Sequence, residues 1–129
     1  MKKAKMIFNK CVLDSKDFGS DEKNMISRVY YDLHVDGRTH RNLHTDIKQS
    51  AGSDLEGKIT DMKNVPDDKV GINNKRKVYD LIEKYYRSLG GEHPKKLGLG
   101  LTGNIRVWSL TVEKEKTEEF EVNEKEHEL

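Results

Sequence analysis

Three of the five histidines, His34, His40 and His44, fall within eleven residues and share the stretch "YYDLHVDGRTHRNLHTD" with Asp32, Asp36 and Asp46. Imidazoles and carboxylates gathered this closely are the residue types of metal sites and of proton-transfer pairs. Spacing separates the two. Four residues along a strand span about 13 Å at ~3.3 Å each, so His40 and His44 cannot both bind one zinc, whose nitrogen bonds are about 2 Å. The only conceivable metal site in the stretch is Asp32, His34 and His40. The reading preferred here is no metal at all, with the histidines on a solvated strand face and an Asp-His pair across two strands.

That reading depends on hairpin register. With Asp36-Gly37 as a two-residue loop throughout, Val29, Tyr31 and Leu33 would share a face with Arg38, His40, Asn42 and His44, leaving both faces half polar. A three-residue loop, Val35-Asp36-Gly37, with glycine in the left-handed position, shifts the pairing by one. Leu33 then faces Thr39, Tyr31 faces Arg41 and Val29 faces Leu43, with Thr45 and Ile47 continuing the apolar side. All three histidines would point to water.

Other stretches carry weaker chemistry. "GLGLTG", Gly98 to Gly103, matches G-x-G-x-x-G, but a proline loop precedes it and a strand follows, so it lacks the helix N-terminus that holds a pyrophosphate. A loop that closes on a small ligand is the third functional reading. Lys75, Arg76 and Lys77 crowd the first turn of a helix, where the macrodipole is already positive, and such a local violation can mark anion binding. With Arg87, Lys95 and Lys96 they form the candidate binding set. Tyr79, Tyr85 and Tyr86 could offer bases a stacking surface, but Tyr85 belongs to an apolar stripe and Tyr79 and Tyr86 are expected to flank it. Cys11 lies in an apolar run, where a thiol is ordinarily inert packing. No G-x-S-x-G occurs, and paired carboxylates such as Asp67-Asp68 lie in polar runs. The chain is read as leaning away from an enzyme, with no catalytic residue and no cofactor.

The elements that must position these residues follow from pattern. Met6 to Leu13 is apolar with few breakers and reads as a strand, and Asp14 to Asn24 as a loop. The hairpin runs from about Met25 to Lys48, and Leu55 to Met62 is a weaker strand. From about 74 to 89 the period changes: Val78, Leu81, Ile82, Tyr85 and Leu89 line one helical face, Asn73 or Asn74 can cap it, and Gly90 can end it. "NIRVWSLTVEKEK" alternates as a long strand that Phe120 and Val122 can extend. Four or five strands with one late helix predict a single α+β domain over residues 1–129, an antiparallel sheet with the helix on one face.

Composition narrows the function. The 129 residues are 33% hydrophobic and 36% charged, with a formal net charge of +1. Residues 113–129 hold eight acids against three lysines, net −5, which leaves +6 on the rest. An acidic, fraying tail from about residue 117 is expected, and it weakens the case for phosphate-backbone binding. A single cysteine, no apolar leader and no run of ~18 apolar residues predict a soluble cytoplasmic protein without a membrane partner. The expected function is non-catalytic binding of another macromolecule. Protein is favoured, through sheet edges or the polar hairpin face, and a homo-oligomer is compatible. Nucleic acid, bound by the basic set above, is the alternative.

Overall fold

The computed structural model describes residues 2–92 and 108–122. It is an α+β fold: an antiparallel sheet with one main helix on one face. β1 (Lys2–Leu13), β2 (Asn24–Val35), β3 (Arg38–Ser50) and β4 (Ile59–Lys63) form a meander. The chain then makes a short helix, α1 (Asp67–Val70), passes through a 3-10 turn (Ile72–Asn74) and enters α2 (Lys75–Glu92). β5 (Leu110–Val112) and β6 (Lys116–Val122) return beside β1, giving the order β4-β3-β2-β1 with β5 and β6 sharing the last place. β6 pairs Lys2 to Phe8 and β5 pairs Cys11 to Leu13. They behave as one broken strand, and the break falls where Asn9 bulges out of β1 between the Phe8–Tyr31 and Lys10–Tyr30 pairs.

Period-two alternation sorts the strands into two faces. Met6, Phe8, Cys11 and Leu13 of β1, Met25, Val29, Tyr31 and Leu33 of β2, and Ile47 of β3 are buried against α2. From the helix come Val78, Ile82, Tyr85, Tyr86 and Leu89. The Tyr85 ring stacks on Phe8 at 4.5 Å, and Phe8 meets Tyr31 edge-on at 5.9 Å. Such aromatic pairs add about 0.5–1.5 kcal/mol to their area burial.

Several expectations change here. Tyr86 does not flank the core but lies within it, because its hydroxyl has a buried acceptor in Oε1 of Gln49. Gly90 does not end the helix, which continues to Glu92; a Cβ at Gly90 would come within 3.3 Å of the Leu55 side chain, so the glycine lets α2 close on the loop after β3. Asn74 is buried, and its amide donates to the Val70 carbonyl within the preceding turn. The expected long strand over "NIRVWSLTVEKEK" is two strands in its described part, and its first residues, 104–107, lie outside the described residues. Phe120 and Val122 do extend the sheet, within β6, where the acidic tail was expected to begin.

Gln49 and Arg87 fasten the loop after β3. Gln49 Nε2 donates to the carbonyls of Asp54 and Gly57, and the Arg87 guanidinium donates to those of Leu55 and Gly57. Tyr86→Phe would leave the Gln49 oxygen buried without this donor, a cost of about 1–3 kcal/mol. Urea unfolding should show a destabilisation in that range, and a change below about 0.3 kcal/mol would contradict the assignment.

Three core groups also predict a pH dependence. Burial pushes the Cys11 thiol well above its ordinary value of 9.0, the Tyr31 hydroxyl from 10.0 to about 12, and the Tyr86 hydroxyl further up. In the unfolded chain these groups ionise near pH 9 and 10, whereas in the folded chain they keep their protons. The contribution is complete below pH 9, and above it the unfolded state holds fewer protons, so stability falls, by up to about 1.4 kcal/mol per pH unit for each group. Unfolding free energy should decline from about pH 9, and Cys11→Ala should delay the onset toward pH 10. An onset unmoved by that substitution would contradict it.

Candidate functional surface

The hairpin sets which side chains reach water. Asp36 and Gly37 both have positive φ, 54° and 71°, and form a two-residue turn that pairs Val35 with Arg38, His34 with Thr39 and Leu33 with His40. This corrects the expected three-residue loop. The compensating shift lies farther along, as a bulge at Arg41–Asn42 opposite Asp32, after which Tyr31 pairs with Leu43, Val29 with Thr45 and Ser27 with Ile47. Asn42 takes a left-handed φ of 58°, and its backbone N–H donates to Asp32 Oδ1 at 2.9 Å. An Asp-Gly pair tolerates positive φ at both positions, which favours the tight turn, and the parity change then has to occur elsewhere.

The histidines are therefore divided. His34 and His44 lie on the face away from α2, while His40, paired with Leu33, lies on the core-facing side near the turn. Asp32, His34 and His40 do not converge, and no group of three metal-ligating side chains occurs among the described residues. The expected Asp32–His40 cross-strand pair is replaced by contacts of Asp32 with the bulge: the Asn42 amide, and Arg41 at 3.9 Å.

Among the described residues no helix or strand covers the outer face, and Phe18 of the 3-10 turn Lys16–Phe18 reaches its corner, over the Arg28 guanidinium at 4.1 Å. Ladder rows cross this face. One carries Val12, Arg28, Asp46 and Lys63; Arg28 grips Asp46 in a two-pronged pair of 2.6 and 3.0 Å, which raises the guanidinium pKa further. A second runs Glu119, Lys5, His34 and Thr39, and His34 Nδ1 shares a 2.7 Å hydrogen bond with the Thr39 hydroxyl. Between them Lys10, Tyr30 and His44 stand side by side, with Lys10 Nζ 5.1 Å from the Tyr30 ring and the Tyr30 and His44 rings 6.3 Å apart. Among the described residues no acid stands opposite any member of this last row within the sheet.

The four described members of the expected basic set, Lys75, Arg76, Lys77 and Arg87, each have a separate setting. Lys75 lines a cleft beside β3, Arg76 pairs with Asp80 and lies over Tyr79, and Lys77 donates to the Glu121 carbonyl of β6. Arg87 is held by two loop carbonyls and Glu83. Lys95, Lys96 and the Gly98–Gly103 loop lie outside the described residues.

The cleft, about 600 Å³, opens where β3 runs past the end of β4. Tyr31 and Leu43 line it, and Asn42 and Asn64, both left-handed, border it. At its base Tyr31 and Thr45 hydroxyls share a 2.8 Å hydrogen bond, and Thr45 donates to the Asn64 carbonyl. Burial raises the pKa of Tyr31, Tyr86 and Cys11 and so holds all three in their protonated, uncharged forms near pH 7.

No protein-family model, no curated protein sequence and no solved structure matches the chain. No described helix is long and apolar enough to cross a membrane. Reading the sequence identified the polar hairpin face but missed the Lys10–Tyr30–His44 row, because the row depends on the bulges at Asn9 and at Arg41–Asn42. Asparagine is among the residues that tolerate left-handed backbone, and that was the available signal.

Asn42→Gly should change stability by no more than about 0.5 kcal/mol, since glycine adopts this φ freely, whereas Asn42→Val should cost about 1–2 kcal/mol. Thermal unfolding of both variants checks the position of the bulge. Equal effects would place the left-handed residue elsewhere.

Proposed function

We propose that this is a non-catalytic protein-binding domain that docks its partner on the open sheet face, with Tyr30 as the anchor. The observation that carries the reading is the interleaving of both charge signs around a half-buried tyrosine. Lys5, Lys10, Arg28, Lys48 and Lys63 alternate with Asp32, Asp46, Asp61, Glu119 and Glu121 on adjacent strands. A phosphate backbone laid on this face would meet carboxylates in most rows, which disfavours nucleic acid. A protein surface can match such a pattern charge for charge, while tyrosine and arginine supply the usual anchors of protein interfaces. The separate settings of Lys75, Arg76, Lys77 and Arg87 also favour protein over nucleic acid as the partner. The one cysteine, buried and unpaired, suits a reducing cytoplasmic setting.

The test is affinity capture on immobilised protein from nuclease-treated extract of the source cell, with wild type and Tyr30→Ala compared side by side. Truncating an anchor costs about 2 kcal/mol, so capture should weaken roughly 30-fold while the melting temperature of the half-exposed site changes little. Retention that vanishes with nuclease, or equal capture by both proteins, would refute the reading.

A further inference from the structure

We propose that copies of this chain associate head to tail through their sheet edges, β6 of one copy adding to the unpaired part of β3 in the next. The inference is independent of the open face and rests on edge backbone, topology and charge.

Two stretches of strand lack a neighbour among the described residues. One is β6, Lys116–Val122, paired as a strand with β1 alone, its Glu121 carbonyl also taken by Lys77. The other is the first part of β3, because β4 pairs only Asp46 to Gln49 and leaves Arg38 to Thr45 open on that side. Exposed rows of amides and carbonyls are templates for another strand.

The two edges fit one another in direction and in level. β3 and β1 run the same way, each antiparallel to β2, while β6 runs antiparallel to β1. A second copy placed beside the first, with its helix on the same side, brings its β6 antiparallel to β3. The row Glu119–Lys5–His34–Thr39 crosses the sheet from one open edge to the other. Continued into a neighbour, it sets Glu119 next to Thr39, and it sets Glu118, whose row runs through Met6 and Leu33, next to His40. The bulge at Arg41–Asn42 interrupts the row of edge groups, so pairing forms between it and the turn, with Thr117 to Phe120 against Arg38 to Arg41.

Charge selects this arrangement over a two-fold one. Glu119 and Glu121 are exposed on β6, and Arg38 and Arg41 are exposed on β3. Pairing β6 with β6, or β3 with β3, sets like charges together, whereas β6 with β3 at this level brings Glu118 and Glu119 diagonally beside Arg38 and Arg41. A contact between unlike patches leaves one edge of each kind free, so chains or rings follow. Only about four residues of β6 lie against β3, so the interface is small and the association correspondingly weak.

Sedimentation velocity over a concentration series at low salt tests this. Wild type should show an average size that grows with concentration and falls back toward the monomer in high salt. Glu119→Gln with Glu121→Gln, and separately Arg38→Glu with Arg41→Glu, should each stay monomeric at concentrations where wild type associates. The two variants mixed in equal amounts offer one intact junction between the second's β6 and the first's β3, so they should form a dimer and stop there. The arginine variant leaves β6 untouched, and circular dichroism establishes that both fold. Wild type that remains monomeric at every concentration, variants that associate like wild type, or a mixture that stays monomeric would each overturn the proposal.

Discussion

The backbone N–H of Asn42, donating to the Asp32 carboxylate across the hairpin, holds open the bulge on which the rest of the arrangement depends. A strand shows alternate side chains to opposite faces, so a single extra residue exchanges them. Between the Asp36-Gly37 turn and Leu43 the pairing must change parity, or the apolar residues of β2 would share a face with the polar residues of β3. The change is made in the strand and not at the turn. Tyr31, Thr45 and Ile47 consequently meet the helix, while Tyr30, His44 and Asp46 meet solvent.

A second bulge answers the first. Asn9 displaces β1 by one residue, so Phe8 and Cys11 both reach the core while Lys10 stays outside beside Tyr30. The same irregularity divides the last strand into β5 and β6. Phe8 is thereby placed under Tyr85 and against Tyr31, at the centre of the sheet-helix contact. The outer row of Lys10, Tyr30 and His44 and the inner aromatic cluster are thus two results of the same pair of insertions.

What the sequence made legible followed regular periods. The α2 stripe shows at i, i+4, i+7 and i+11 through Val78, Ile82, Tyr85 and Leu89, and the long alternation from Met25 onward marks two strands of a hairpin. Features resting on one residue out of period were not legible. A tyrosine such as Tyr86 reads as a flanking residue until its buried acceptor, Gln49, is known, and that contact joins residues 37 apart in the chain. Gly90 looks like a helix stop because its closeness to Leu55 is a tertiary fact. For the hairpin, pattern alone demanded a parity change but did not say where. The basic residues at the start of α2 were read as a cluster because they are adjacent in sequence, whereas a helix turns each by about 100° and sends Lys75, Arg76 and Lys77 to a cleft, to Asp80 and to β6.

The register of the hairpin can be read directly from cross-strand nuclear Overhauser contacts between backbone protons of β2 and β3. The account predicts contacts linking Leu33 with His40, Tyr31 with Leu43 and Val29 with Thr45, with Asn42 set out of the ladder. Contacts linking Leu33 with Thr39, Tyr31 with Arg41 and Val29 with Leu43 would put the extra residue in the turn. The bulge, the division of the histidines between the two faces and the outer row at Tyr30 would then all be contradicted.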